Sequence, residues 1–243
     1  MSANSSADSN NDGVILVTGA SSRIMGEFVK QINDRQITAG ISRPAAISLT
    51  RRPNSKTDCE FDFSDDKSIY RLDQHLREIE KSGKVIGLVL AHRCREHESS
   101  LMKIAAELEI LQSLVKLCIK NRSCHSKVSM VLIGSTASRR YCPEQTPLYH
   151  MKKAAEEALL TSYAISSDEV RLNTIVPGFV VRSEEMNPSI NLSTSDIIPV
   201  IQFLLSKESD AINGQRIAID KGLSQISIFS ALAGLFRVSS KSS

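Results

Sequence analysis

The chain predicts one α/β domain, a doubly wound parallel β-sheet with helices on both faces. Three observations carry that expectation. Short, nearly continuous apolar runs recur along the chain, as strands buried on both faces require. Between them lie segments with apolar residues at helical spacing. The two patterns alternate about six times with no linker-like break, repeat or low-complexity block, which is the order of a parallel sheet with crossover helices. Composition agrees: 41% hydrophobic and 23% charged among 243 residues are ordinary globular values. They exclude a chain disordered throughout, a collagen-like chain and a disulfide scaffold.

Residues 1–12, MSANSSADSNND, have almost nothing to bury and are expected to be a disordered leader. The domain spans 13–224. Its first strand is VILV, ending in Thr18-Gly19, and apolar residues at helical spacing run from Met25 to Ile32. Residues 45–49 and 59–63 make the second and third strands, followed by a helical stripe of Ile69, Leu72, Leu76 and Ile79. The fourth strand, 85–91, precedes a longer stripe of Leu101, Ile104, Leu108, Leu111, Val115 and Cys118. Strand 127–135 leads to a helix over Ala154–Ile165, and strand 170–176 to one over Ile197–Leu205. Ser193, Thr194 and Ser195 are candidate N-caps for the latter, and Pro199 falls early enough to be tolerated. Residues 215–220 make the last strand. Residues 225–243 form an extension, apolar over 226–238 and polar at its end, and too short in its apolar part for a bilayer span. With almost no polar face, it is expected to be buried in the fold or between subunits.

Thirty Lys and Arg against 27 Asp and Glu leave a net charge of +3, too small and scattered to point to nucleic acid. Neither a basic stretch followed by an apolar run at the N-terminus nor a membrane-length apolar stretch is present, so the expected address is the cytoplasm. Five cysteines, an odd number without a CxxC pair, predict no disulfide framework and no metal site; Cys124-His125 has no second pair to complete one.

Chemistry enters at three places. In this fold the first strand-to-helix turn normally meets a phosphate, because free N–H groups and the helix dipole point there. Here the turn runs Thr18-Gly19-Ala20-Ser21-Ser22-Arg23-Ile24-Met25-Gly26, although a plain turn would read the same way. Tyr149 and Lys153, four apart, share one helical face. A cation beside a phenol favours phenolate, so such a tyrosine exchanges a proton with an alcohol or carbonyl oxygen. Chance spacing at an exposed helix start is the alternative. Ser135 ends the fifth strand, fourteen residues before Tyr149, on the side where a ligand crevice opens.

Together these residues resemble the short-chain dehydrogenase/reductase family, whose fold is of the Rossmann type. The likeness continues with Phe61-Asp62-Phe63, with Leu172-Asn173-Thr174-Ile175-Val176-Pro177-Gly178, and with Ile212-Asn213-Gly214-Gln215 followed by Ile219-Asp220-Lys221-Gly222. It covers about 14–224 in the expected order. The resemblance implies hydride transfer between a nicotinamide and a carbonyl or alcohol carbon of a small metabolite. Tyr149 would be the acid/base, Lys153 its activator and the holder of the nicotinamide ribose, and Ser135 the donor that polarises the substrate oxygen. Gly19, Ser21, Arg23, Gly26, Asp62, Ala91, Pro177 and Gly178 would line the cofactor with Tyr149 and Lys153. The second strand runs into Arg51 and Arg52 with no carboxylate at its end. That favours the 2′-phosphate of NADP(H), with NAD(H) ranked second. A solvated basic patch is the plainer alternative.

The chain also departs from the family pattern. Arg23 and Met25 stand where the last two glycines of the loop are expected. Either Gly26 takes the displaced last position, or cofactor binding is compromised. Ala91-His92-Arg93-Cys94 replaces the NNAG segment. The Asn of the family's proton relay should fall near Glu107 or Glu109, which otherwise read as helix-surface residues. The segment from Phe179 to Leu192, with Arg182, Glu184, Glu185 and Met186, makes a short substrate lid. These departures keep a second expectation alive, a catalytically impaired binding or assembly subunit. Family members commonly pair through helices equivalent to those at Leu101 and Tyr149. A homodimer or homotetramer is therefore expected, with Met102, Ile110, Leu114 and Leu117 as contact candidates on the first of them.

Overall fold

The computed structural model describes residues 13–38, 46–55, 58–79, 84–91, 100–122, 126–140, 145–178, 180 and 191–222. The expected leader and extension, His92, Arg93 and Cys94, Cys124-His125, and Arg182, Glu184, Glu185 and Met186 of the lid lie outside them. Seven strands form one parallel sheet: β1 Gly13–Thr18, β2 Ala46–Thr50, β3 Asp58–Glu60, β4 Lys84–Leu90, β5 Val128–Ile133, β6 Val170–Pro177 and β7 Arg216–Ile219. Their order is β3-β2-β1-β4-β5-β6-β7. Five helices connect them: α1 Arg23–Thr38, α2 Ser68–Ile79, α3 Leu101–Lys120, α4 Pro147–Ser166 and α5 Thr194–Leu205. Each expected strand and helix is present.

Side chains alternate across the sheet, so one strand feeds two cores. Val14 and Leu16 of β1 pack with Leu72, Leu76, Leu111, Leu114 and Leu160 under α2, α3 and α4. Val17 packs with Met25, Phe28, Ile197 and Ile201 under α1 and α5. The third strand is shorter than its apolar run. Phe61 still donates its N–H to the Thr50 carbonyl, but the Asp62 N–H goes to the Ser68 hydroxyl at 2.9 Å, and this turn ends the ladder. Phe61 is buried and meets Phe63 edge-on at 5.1 Å.

Helix α3 corrects the expected contact patch. Ile110, Leu114 and Leu117 are buried inside the chain, at 9%, 0% and 6% exposure, while Leu101, the first residue of the expected apolar stripe, is 61% exposed. The reason is the position of α3. It packs against α2 and α4 as well as β4, and three neighbours demand a wider apolar arc than one sheet face does. Met102 is the one candidate of the four that remains in solvent.

The chain order reverses at β1, between β2 and β4, which opens a crevice at the carboxyl ends of these strands. Thr18 ties its floor: the hydroxyl accepts the Ala91 N–H at 2.9 Å. Among the described residues no helix is long and apolar enough to cross a membrane, and no group of three His, Cys, Asp or Glu is placed to hold a metal.

Candidate active site

The turn between β1 and α1 is built on Gly19, whose φ of 70° lies in the left-handed region that side chains avoid. The Ser22 N–H closes the turn on the Gly19 carbonyl at 2.9 Å, and the Ser22 hydroxyl accepts the Met25 N–H at 3.3 Å. Met25 is 1% exposed and points into the core, away from the turn. Gly26 lies against the turn itself, where a Cβ would come within 3.1 Å of the Ala20 carbonyl oxygen. Gly26 is thus in close approach to the turn. Ser21 and Arg23 are exposed on the open side of the turn.

Arg51 and Arg52 are exposed just beyond β2. Their loop is held by Asp58, whose carboxylate accepts the N–H groups of Asn54 at 2.8 Å and Ser55 at 3.0 Å. The Asp62 carboxylate accepts the N–H and the hydroxyl of Ser64, at 2.9 and 2.7 Å, and so shapes its own turn. Pro177 closes β6. Gly178 passes so near β7 that a Cβ would meet that of Asp220 at 3.0 Å, and its N–H donates to the Ile219 carbonyl. The glycine turn, the exposed cations beside it and the narrow Gly178 passage suit a nicotinamide dinucleotide along the carboxyl edge.

Ser135 follows β5 and caps a short 3-10 turn, Thr136–Ser138, its Oγ accepting the Ala137 N–H at 3.2 Å. The hydroxyl proton remains to be donated. Helix α4 begins at Pro147, pre-set for a first helical position, with Thr146 accepting the Tyr149 N–H at 3.2 Å. The 3-10 turn is fastened to this helix. His150 Nδ1 donates to the Ala137 carbonyl at 2.8 Å, and the Ser138 hydroxyl donates to Glu157 at 2.7 Å. Arg139 reaches the same carboxylate at 2.6 Å. Ser135 is thereby held against the turns of α4 that carry Tyr149, half-buried, and Lys153, which is 6% exposed.

Around these residues lies a set of charges that sequence reasoning missed. Lys153 Nζ donates to Glu156 Oε2 at 2.8 Å. Lys152 Nζ lies 3.7 Å from Glu156 Oε1 and donates to the Glu107 carboxylate. Glu107, expected on the helix surface, is buried because its neighbour on α4 is an ammonium rather than water; Glu109 is exposed as expected. Arg216, from β7, donates to the Ser135 carbonyl at 3.3 Å, with its Nε 3.4 Å from Glu157. The run Lys152-Lys153-Ala154-Ala155-Glu156-Glu157 carried a signal, pairs at i, i+3 and i, i+4, but such pairs usually mark a solvated helix face.

No curated protein matches the chain in sequence. Solved structures match its fold at low identity. A short-chain dehydrogenase from Leptospira borgpetersenii with bound NAD+ shows a TM-score of 0.65 at 17% identity, over 88% of this chain and 93% of its own. An oxidoreductase of the short-chain dehydrogenase/reductase family from Brucella ovis, in complex with a partially ordered NAD, gives 0.60 at 22%, over 86% and 99%. A 3-oxoacyl-[acyl-carrier protein] reductase from Brucella melitensis gives 0.68 at 16%, over 89% and 99%. Residues 51–224 match the family described as "Enoyl-(Acyl carrier protein) reductase". With that match over more than half its length, and the parallel sheet that the alternating strands and helices predict, the chain belongs to the short-chain dehydrogenase/reductase family of oxidoreductases.

Proposed function

We propose that the chain is an NADP(H)-dependent oxidoreductase acting on a carbonyl or alcohol group of a small metabolite. The observation that carries this is the fastening of Ser135 to the helix of Tyr149 and Lys153 at the carboxyl edge of the sheet. Gly19, Ser21, Arg23 and Gly26 would cradle the pyrophosphate, Asp62 and Ala91 would flank the adenosine, and Pro177 and Gly178 the nicotinamide. Lys153 would hold the ribose. When bound, the nicotinamide supplies or takes up the hydride. Tyr149 gives its proton to the substrate oxygen in reduction and takes it back in oxidation, while the Ser135 hydroxyl donates a hydrogen bond to the same oxygen.

NADP(H) rather than NAD(H) is supported by Arg51 and Arg52, exposed at the end of β2 with no carboxylate at that position. The reading includes self-association as a homodimer or homotetramer, supported by exposed Leu101, Met102 and Met151 at the starts of α3 and α4. It also includes a reducing, cytoplasmic setting, which the free thiols of Cys59 and Cys118 suit. The test is cofactor titration of the wild-type chain and of the Arg51→Ala, Arg52→Ala double variant. A charge-assisted bond contributes about 1.5–3 kcal/mol, so NADPH affinity should fall about tenfold or more with NADH little changed. Equal weakening of both cofactors would remove these arginines as phosphate readers. Binding without turnover on a broad panel of carbonyls and alcohols would favour a binding or assembly subunit instead.

A further inference from the structure

Three groups from outside its own helix converge on the carboxylate of Glu157, whose side chain is 8% exposed. Oε1 accepts Arg139 Nη2 at 2.6 Å and Oε2 accepts the Ser138 hydroxyl at 2.7 Å, both from the 3-10 turn that Ser135 caps. The third group is Arg216 of β7, its Nε 3.4 Å from Oε1. That Nε is buried with no hydrogen-bond partner among the described residues, so the carboxylate is what balances its charge. Arg139 is mostly exposed, and such a pair contributes little. Ser138 and Arg216 are the contacts with consequences.

Both lead to the Ser135 carbonyl. Ser138 Oγ lies 2.9 Å from it, and Arg216 Nη2 donates to it at 3.3 Å. A hydroxyl has one proton to donate, and an ionised acceptor makes the stronger bond. The Ser138 proton therefore goes to Glu157. The Ser135 carbonyl is left to Arg216 and to the Ser138 N–H at 3.2 Å. Glu157 thus draws one donor off the Ser135 peptide and holds the guanidinium that stands in for it.

We propose that Glu157 is a positioning residue: through Ser138 and Arg216 it fixes the Ser135 peptide and so aims the Ser135 hydroxyl at the substrate oxygen. This rests on the donor role given to Ser135 above. Ser135 Oγ accepts the Ala137 N–H of the same turn, so the direction of its own proton follows the backbone that Glu157 holds. Without the carboxylate, the Ser138 proton turns to the Ser135 carbonyl and Arg216 is released. A donor to a developing oxyanion acts only where it is aimed, and a misplacement of about 1 Å costs about 10²-fold.

The test is a double-variant cycle of Glu157→Gln and Ser135→Ala, read with 2,3-butanedione and NADPH. Glu157→Gln should lower kcat by about tenfold or more and leave KM for NADPH within about twofold. In the Ser135→Ala background, where the donor is already gone, the same change should move kcat by less than about twofold, while the loss in Tm is equal in both backgrounds. Glu157→Asp, which keeps the charge, should recover most of kcat. If Glu157→Gln does not fold, Arg216→Met removes the other bond to the Ser135 carbonyl and runs the same cycle. Hydrogen exchange of the Ala137 amide reads the turn without turnover and should quicken about tenfold in Glu157→Gln. Equal losses of kcat in both backgrounds, or unchanged exchange at Ala137, would overturn the proposal. A Ser135→Ala variant with wild-type kcat would instead sink the donor role of Ser135. No turnover in any chain would count against the proposed oxidoreductase function, and the Ala137 exchange would then decide whether Glu157 fixes the turn.

Discussion

Tyr149 sits in the first turn of α4, its backbone N–H taken by the Thr146 cap and its side chain half-buried. Removing the phenol oxygen touches none of the bonds that hold this turn. Tyr149→Phe should therefore melt with the wild type and bind cofactor as tightly, while kcat falls by about 10²-fold or more, the scale of a positioned acid/base. Activity within a few-fold of wild type would take Tyr149 out of the chemistry. The thiols are a contrast at the same scale. Burial pushes Cys118 up to about 12 and Cys59 up to about 11, so neither is a nucleophile near neutral pH.

Among the elements, α5 shows how local chemistry sets a boundary. Ser193 precedes it, and the Asp196 carboxylate reaches back to accept the Ser193 N–H at 2.7 Å and hydroxyl at 2.8 Å. These bonds hold the Asp196 carboxyl below the usual carboxylate range. Asp196→Ala should lower the unfolding free energy by about 0.5–2 kcal/mol at pH 7, read from urea melts. The carboxyl is lowered in the folded state. Its contribution is full above the unfolded value, about 3.9, and is lost as pH falls through the lower folded value. The gap between variant and wild type should therefore close in acid. A gap that stays constant down to strongly acidic pH would show that the carboxylate is not the cap.

At the scale of the whole molecule, α3 decides between core and interface. Leu114 is fully buried in the cluster it shares with β4, β5 and α4, so Leu114→Ala should cost about 2–5 kcal/mol of stability. Met102, at 85% exposure, contributes no such burial within the chain. Met102→Glu should leave the melting temperature unchanged and, if α3 and α4 carry the self-association, lower the mass seen by light scattering. A destabilised Met102→Glu, or a fully stable Leu114→Ala, would reverse this assignment of α3.

The seven strands and five helices could be read from the chain because their signals are local. Apolar runs, helical spacing and caps such as Ser193 act within a few residues. The same holds for the order of Gly19, Ser135, Tyr149 and Lys153, whose places at strand ends and helix starts follow once the elements are known. What only the tertiary structure decided is which polar residues leave water. Glu107 lies 45 residues from Lys152, and Arg216 lies 81 from Ser135. Arg171 is fully buried through bonds to the Leu204 carbonyl and Ser129 hydroxyl, 33 and 42 residues away. The run of Lys and Glu on α4, and the alternation Glu107-Leu108-Glu109-Ile110 within α3, are equally good surface sequences. Packing of one helix against the other makes them a buried charge cluster. A charge's environment is fixed by groups that meet only in three dimensions, whereas an apolar periodicity is already written in the residues that compose it.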